Sequence, residues 1–356
     1  MTPASPAVPP KPSSGESLRS GRRVRRPLVI DFHCHMRVQE VVDFAKGHLP
    51  NSAIPNIDKL SKQDRASVEA WGAEHRRRTN DLDYRLKLMD DWGIDIQVLT
   101  TSIISMNTYW APPEDSLRME RLANDRMAEM AARAPDRFVL LGNVPLQAPE
   151  LAVKELERCM GELGMRGVQI SSEAGGIELG DARLKPFWAA AERLGACLFL
   201  HPAGVPDARY HPYHLWNSIG QPLEEAMGMA SLFYEGVLDA FPKLKLCIAH
   251  GGGYLPYYAG RVDRNYEEKA FTRVNMTKSP SQYMREHFWY DTSVYNVDML
   301  EFLAKKVGAA RIVMGSDYPS GEDDPVAFVR KAKGLSPEEQ EDILGRTAAR
   351  LLGIPL

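Results

Sequence analysis

Two histidines separated by one residue follow a short apolar run and suggest a metal centre. The run covers residues 28–32, and His33 and His35 come directly after it. Because the side chains of a strand alternate between its two faces, His33 and His35 should project to the same side, while Cys34 should face away. Imidazole nitrogen is a common ligand of zinc, manganese, iron and cobalt. The pair therefore predicts half of a metal site.

Three further candidates each follow another apolar run. His201 follows residues 198–200, His250 follows 246–249, and Asp317 follows 312–316. A single histidine after a strand is more often a hydrogen-bonded core or loop residue than a ligand. The ordered set is much harder to obtain by chance, and it predicts one mononuclear metal centre.

Eight strand-like runs alternate with helical patterns after residue 27. The runs cover 29–32, 96–100, 138–143, 167–170, 197–200, 245–249, 288–291 and 312–314. This alternation favours a parallel (β/α)8 TIM barrel, in which chemistry lies at the carboxyl ends of the strands. An open doubly wound sheet would not bring the ends of strands one, five, six and eight to one point.

Two segments are too long for simple loops and are expected to be insertions that cap the pocket. The first, 36–80 after strand one, contains three consecutive arginines, Arg76, Arg77 and Arg78. The second, 202–221 after strand five, is rich in tyrosine and histidine, and His214 is its candidate for reaching the pocket.

Other candidates carry weaker signals. Tyr109 and Trp110 follow strand two and are candidates for the pocket wall, although core packing is at least as frequent for such a pair. Glu173 and Asp291 lie beyond strands four and seven, where we expect structural roles. The remaining histidines, which lack an ordered partner set, are expected in solvent: His48, His75, His211 and His287.

Composition bounds the class of protein. The chain has 356 residues, is 44% hydrophobic and 26% charged, and carries a net charge of -3, which gives no sign of a nucleic-acid or membrane partner. Its four cysteines form no CxxC pair, so reduced thiols in a cytoplasmic protein are expected. Residues 1–27, rich in Pro and Ser, predict a disordered tail, and 28–356 a single barrel domain.

Seven stretches, taken in order, resemble one family. They are Asp31-Phe32-His33-Cys34-His35, residues 109–115, residues 145–155, Gly167-Val168-Gln169-Ile170, residues 241–246, His250-Gly251-Gly252-Gly253 and Gly315-Ser316-Asp317-Tyr318-Pro319. The chain resembles the amidohydrolase-related metal-dependent decarboxylases over nearly everything after the tail. The resemblance implies the metal-dependent hydrolase type of TIM barrel.

The resemblance also implies roles for single residues. The metal ligands would be His33, His35, His201 and Asp317, with Asp317 also part of the catalytic machinery. His250 would orient or deprotonate a metal-bound water. Arg261, eleven residues after His250, would bind a substrate carboxylate in the site of a neighbouring subunit, which implies a homodimer. A second carboxylate-binding arginine would lie among Arg76–Arg78.

The predicted function is decarboxylation of a small aromatic or dienoic carboxylate, with His250 as acid and base, in the catabolism of aromatic compounds. One divalent metal per chain is expected, zinc first, with manganese, iron or cobalt as alternatives. The alternative reaction is hydrolysis of an amide, lactone or ring bond at the same centre. A binding protein on a barrel scaffold is disfavoured because it has no need of a metal-activated water. Ala203, Gly204 and Ser320 depart from the related pattern and leave the substrate open.

Overall fold

The computed structural model describes residues 27–45, 72–102, 108–202, 207–210 and 212–355. Every strand pair in these residues is parallel. The strands are β1 Ile30–Met36, β2 Ile96–Thr101, β3 Phe138–Leu140, β4 Gly142–Asn143, β5 Gly167–Ile170, β6 Cys197–Leu200, β7 Lys245–Ile248, β8 Phe288–Asp291 and β9 Ile312–Val313. Their positions agree with the eight predicted runs, the third of which is divided in two.

Helices follow most of the strands. They are α1 Gln39–Ala45, α2 Leu82–Trp92, α3 Pro113–Ala131, α4 Pro149–Gly161, α5 Lys185–Leu194, α6 Gln221–Tyr234, α7 Val237–Ala240, α8 Leu255–Glu268, α9 Pro280–Glu286, α10 Val297–Val307, α11 Pro325–Lys331, α12 Pro337–Glu341 and α13 Thr347–Leu352. Residues 72–80 are helical as well. Many of these helices carry a proline in the first turn, where the missing N–H costs no intrahelical bond.

The ladders form two sheets, β1-β2-β3 and β4 through β9 in chain order. The division falls at Leu141, whose N–H still donates to Leu99 at 3.0 Å. At the next residues, the Asn124 side chain from α3 accepts from Asn143 N at 2.8 Å and donates to Asn143 O at 3.0 Å. A helix side chain therefore occupies backbone groups that a continuous strand would use.

Backbone hydrogen bonds join β1 to the segment around β9. Phe32 N donates to Met314 O at 2.7 Å, and His35 N donates to Tyr318 O at 2.7 Å. Cys34 and Tyr318 form an isolated parallel bridge rather than part of a long ladder. This strand order, with parallel pairing throughout and contact between the first and last strands, is the arrangement of the predicted (β/α)8 barrel.

A bulge in β1 sets the direction of its side chains. Asp31 pairs with Gln97 and Cys34 with Leu99, so β1 has one more residue than β2 over this interval. Phe32 and His33 consequently both approach Phe199 of β6, with ring centroids 5.5 and 4.9 Å away. Cys34 belongs to the larger apolar cluster with helix residues, facing away from His33 and His35 as expected.

Several expectations concern residues that lie partly or wholly outside the described ranges. Residues 1–26 of the tail, residues 46–71 of the first insertion, and Ala203, Gly204, His48 and His211 lie outside them. The four cysteines are buried and free. Within the described part of the chain, no helix is both long enough and apolar enough to cross a membrane.

A buried carboxyl on α3 makes stability depend on pH. Burial raises the pKa of Glu120 to about 8, with the charge of Glu155 adding to the rise, while a hydrogen bond from Thr108 opposes it. Folding therefore favours the protonated acid, and the free energy of unfolding should fall as pH rises from the ordinary pKa of 4.5 towards 8.

We expect Glu120→Gln to flatten this decline, because the amide keeps an acceptor for Thr108 and cannot ionise. Urea unfolding of both proteins across the interval measures the difference. Glu150→Gln, on the first turn of α4 at an exposed position, is the matched control. Parallel pH dependence in Glu120→Gln and the parent chain would contradict the assignment.

Candidate metal centre

The carboxyl ends of β1 and β6 and the turn after β9 bring four side chains together. One ligand atom from each of His33, His35, His201 and Asp317 lies within 4.8 Å of all the others. Nε2 of His33 is 3.0 Å from Nε2 of His35, and each lies 3.3 Å from Oδ1 of Asp317. The three histidines are buried. Nitrogen and carboxylate donors so arranged fit one divalent transition metal.

Each of these histidines is fixed through its other ring nitrogen. Nδ1 of His33 donates to Oδ2 of Asp291 at 2.5 Å, Nδ1 of His35 donates to Thr101 O at 3.0 Å, and Nδ1 of His201 donates to Pro202 O at 3.1 Å. A proton on Nδ1 leaves the Nε2 lone pair available to a metal.

The surroundings of Nε2 of His201 test whether these residues suit a metal ion. This atom is buried and has no hydrogen-bond partner among the described residues. Burial, followed by the charges of the neighbouring histidines, lowers the pKa of His201 well below 6.5, and burial likewise lowers that of His35. Neutral imidazoles with unused nitrogens suit metal ligation and would otherwise leave a costly buried polar atom.

Asp317 occupies an unusual backbone conformation. Its φ of 57° lies in the left-handed region, which non-glycine residues seldom adopt. Although burial opposes its ionisation, His33, His250 and His35 hold the pKa of Asp317 well below its usual range. The residue is therefore an anionic ligand candidate at neutral pH.

His250 stands beside the group without belonging to it. Its Nδ1 is hydrogen-bonded to Glu225 of α6, and its Nε2 is 3.8 Å from Oδ2 of Asp317. Burial disfavours the imidazolium, but the carboxylates of Glu225 and Asp317 raise the pKa of His250 well above 6.5. Burial raises the pKa of Glu225 to about 7, against the effect of His250. The pair can hold a proton at Nε2 facing the site.

The glycines after His250 allow the chain to turn close to α6. Gly253 has a φ of 60°, and a Cβ there would lie 2.1 Å from Pro222 O on α6. The chain can therefore turn tightly against the helix that carries Glu225. Gly251 N also donates to Oδ1 of Asp291 at 3.0 Å, which ties the His250 turn to the residue that orients His33.

A buried polar network holds β1 against the turn that carries Asp317. Asp31 accepts from Ser316 N at 2.9 Å and from Ser316 Oγ at 2.6 Å. Arg85 of α2, also buried, donates to His35 O and lies 4.3 Å over the ring of Tyr318. The two flanking neighbours of Asp317 are thus both tied to β1 or its partners.

The structure does not gather every predicted substrate residue at the centre. Tyr109 is buried in the apolar cluster, and Trp110 packs against that cluster, with its Nε1 buried and unpartnered among the described residues. His214 is largely exposed and packs on Trp216, with ring centroids 4.7 Å apart. Arg261 is exposed on α8.

The three arginines of the first insertion differ in their surroundings. Arg76 and Arg77 are exposed, and Arg77 lies over the ring of Tyr84 at 4.1 Å. Arg78 is half-buried and donates to Asp323 at 2.8 Å and to Pro319 O at 3.4 Å. Arg78 is thus the one of the three whose described contacts reach the turn after Asp317.

Sequence reasoning gave three residues too little weight or missed them. Asp291 is the last residue of β8, and this position predicted that it lies at the same end of the barrel as the site. The position did not predict the hydrogen bond to His33. Glu225 is one of two adjacent glutamates within a helix and offers no local signal. Tyr295, which contacts Asp317, lies four residues beyond β8 in an irregular segment.

Two histidines expected in solvent are located elsewhere. Nδ1 of His75 is 3.2 Å from Ser320 Oγ, and burial followed by the charge of His35 lowers its pKa to about 4. The first insertion therefore reaches the neighbourhood of the metal group. The expectation for His287 was wrong, because the residue is buried beside Tyr283 and Lys278.

Asp291 provides a direct test of the ligand arrangement. We expect Asp291→Asn to weaken zinc binding by roughly 10–100-fold, because the amide is a poorer acceptor for Nδ1 of His33. Competition with a chromophoric chelator measures the affinity. Asp298→Asn, at an exposed position of α10, is the control and should bind zinc like the parent. Unchanged affinity in Asp291→Asn would contradict the role of Asp291.

Comparisons with known proteins agree with this geometry. The chain is 35% identical over 278 residues to 2-amino-3-carboxymuconate-6-semialdehyde decarboxylase of Dictyostelium discoideum, an alignment that covers 77% of each chain. It is 31% identical over 298 residues to gamma-resorcylate decarboxylase of Rhizobium radiobacter, covering 79% of this chain and 90% of the relative.

A solved structure gives the same result at the level of the fold. Dihydroxybenzoic acid decarboxylase of Polaromonas sp. JS666, with bound manganese and the inhibitor 2-nitroresorcinol, superimposes with a TM-score of 0.78 at 27% identity. The superposition covers 92% of this chain and 98% of that one. The sequence model of the amidohydrolase family matches residues 30–354. From β1 to its last helix, the chain therefore belongs to the amidohydrolase family.

Proposed function

We propose that this protein is a metal-dependent decarboxylase that removes CO2 from a small aromatic or dienoic carboxylate. One observation carries the proposal: a three-histidine, one-aspartate group with a carboxylate-anchored histidine, His250, beside it. The relatives reported above act as decarboxylases of a muconate and of hydroxylated benzoates, which supports this reaction over hydrolysis.

Decarboxylation replaces a carbon–carboxylate bond with a carbon–hydrogen bond. The electron pair left by CO2 stays on the substrate carbon, where a conjugated ring or diene accepts it until a proton arrives. A divalent ion in the site would supply a Lewis acid for a bound carboxylate, phenolate or water. The protein must supply the proton.

His250 is placed for that transfer. Glu225 holds Nδ1, so Nε2 is directed at the space beside Oδ2 of Asp317, 3.8 Å away. The raised pKa of His250 favours the imidazolium at neutral pH, which makes Nε2 a proton donor. Oδ2 of Asp317 faces the same space and is the second group able to exchange a proton there.

The identity of the metal is part of the proposal. Zinc fits three imidazoles and one carboxylate with a position left for substrate. Manganese is the alternative, since the related dihydroxybenzoic acid decarboxylase contains it. Reconstitution of chelator-treated protein with each ion in turn distinguishes them by the activity that returns.

The assembly is a homodimer in which Arg261 enters the site of the partner. Arg261 is exposed, and its guanidinium makes no hydrogen bond or ion pair with the described residues. It lines a groove of about 640 Å³ with Tyr258, which is 64% exposed. Nearby in sequence, Phe271 and Val274 are both 76% exposed. A charged residue among exposed aromatic and aliphatic side chains supports a subunit interface that delivers a carboxylate-binding guanidinium.

The reaction is tested by following CO2. We expect the zinc- or manganese-loaded protein to release CO2 from at least one member of a panel of hydroxylated benzoates and carboxymuconates, and the metal-free protein to release none. His250→Ala should keep most of its metal and lose roughly 10²–10⁴-fold in rate, because a positioned proton donor has been removed.

The panel also contains aryl amides and lactones. Cleavage of one of these with solvent oxygen in the product, and no CO2 from any acid, would make the protein a hydrolase. Full turnover by the metal-free protein would contradict the role of the metal group.

The shared site is tested by mixing inactive variants. We expect His250→Ala and Arg261→Ala to be inactive alone and to recover partial activity together, since a hybrid dimer has one site with both residues intact. Arg264→Ala, on the same helix and paired with Glu268, is the control and should stay active alone. Absence of recovery after demonstrated subunit exchange would contradict a shared site.

A further inference from the structure

We infer that Tyr295 is a positioning residue that turns the Asp317 carboxylate so that a single oxygen faces His33 and His35. The inference rests on the metal centre of the proposed function. Its basis is the hydrogen bond from the Tyr295 hydroxyl to Oδ2 of Asp317, at 2.9 Å.

The two oxygens of Asp317 have different surroundings. Oδ1 lies 3.3 Å from Nε2 of both His33 and His35. Oδ2 accepts from Tyr295 and lies 3.8 Å from Nε2 of His250. A carboxylate can bind a metal through one oxygen or through both. The bond from Tyr295 engages Oδ2 and so favours ligation through Oδ1 alone.

The backbone around Tyr295 fixes its hydroxyl. Its φ of 54° is left-handed, a conformation that a bulky residue adopts only when its surroundings require it. On one side, Val294 N donates to Thr292 O at 2.7 Å. On the other, Asn296 caps α10 by accepting from Asp298 N at 2.8 Å. The tyrosine is thus held between the end of β8 and the start of a helix.

Space for the hydroxyl is provided by a glycine in the turn after Asp317. A Cβ at Gly321 would lie 2.9 Å from the Tyr295 hydroxyl and 2.8 Å from Cβ of Asp317. The tyrosine residue as a whole is 53% exposed, although its hydroxyl bonds to a ligand candidate of the centre. The side chain therefore reaches the carboxylate from the open side of the site.

In this arrangement the two carboxylate oxygens of Asp317 have different roles. Oδ1 serves the metal, while Oδ2 stays on the side where His250 meets the substrate. Without the phenol, Oδ2 would be able to rotate towards the metal and change its coordination. Tyr295 acts through Asp317, and its effect should appear in metal binding before any substrate is added.

Tyr295→Phe removes the hydroxyl and keeps the ring. We expect its affinity for zinc, measured against a chromophoric chelator, to fall about 10-fold, as is usual for loss of a group that orients a ligand. The visible spectrum of the cobalt-substituted variant should differ from that of the parent, because the coordination of Asp317 changes. Thermal unfolding of the metal-free proteins should coincide.

Tyr254→Phe is the matched control. Tyr254 is 40% exposed and its hydroxyl donates to a backbone carbonyl, Ile219 O, at 3.4 Å. This variant should keep the parent zinc affinity and cobalt spectrum. Parent-like affinity and spectrum in Tyr295→Phe would overturn the inference. The proposed reaction is judged separately: metal binding without CO2 release by the parent would contradict the reaction and leave the role of Tyr295 intact.

Discussion

The structure depends on keeping three buried imidazoles and a carboxylate close together. Imidazoles that are to share one metal ion must keep the nitrogen facing the centre free of a proton, so the proton of each ring belongs on the nitrogen that points away. The anchors on Nδ1 meet this requirement with two backbone carbonyls and one aspartate. Because Thr101 is the last residue of β2, the sheet itself favours the tautomer of His35 whose Nε2 faces the candidate metal centre.

The same requirement explains the buried polar groups at the junction of the first and last strands. Asp317 must face His33 and His35, which lie more than 280 residues earlier in the sequence. Asp31 binds both the backbone and the side chain of Ser316, and Arg85 binds the carbonyl of His35. A buried carboxylate and a buried guanidinium are costly unless satisfied. Here they hold β1 against the turn after β9, where the two segments share only an isolated bridge.

Much of this arrangement is encoded locally and could be predicted from sequence. The alternation of apolar runs identified the strands, and period-two alternation placed His33 and His35 together with Cys34 outside. Parallel strand ends then predicted that His201 and Asp317 would join them. The division of the third strand was not predictable, because it follows from an asparagine on α3 that replaces ladder hydrogen bonds.

Contacts between elements that are distant in sequence could not be predicted from the sequence. Glu225 meets His250 only because α6 packs against a turn in which glycine permits close approach. His75 approaches the centre from the first insertion, whose sequence is polar and irregular. Tyr109 is buried in the apolar cluster. Its position after a strand suited a residue of the pocket wall and a residue of the core equally well, so the sequence could not distinguish the two. Pattern alone fixes which face a residue occupies, whereas the partner on that face depends on how distant elements meet.

The bulge in β1 has a consequence for how this barrel can change. Before the bulge, Ile30 and Phe32 lie in the inner apolar cluster. After it, His35 points to the candidate metal centre. The extra residue of the bulge separates these two parts of β1. Substitutions at Ile30 or Phe32 therefore need not change the side to which His35 points, whereas His33 lies within the bulge, contacts Phe199 and stays coupled to the apolar cluster. The bulge thus divides β1 into a part that packs in the apolar cluster and a part that faces the candidate metal centre.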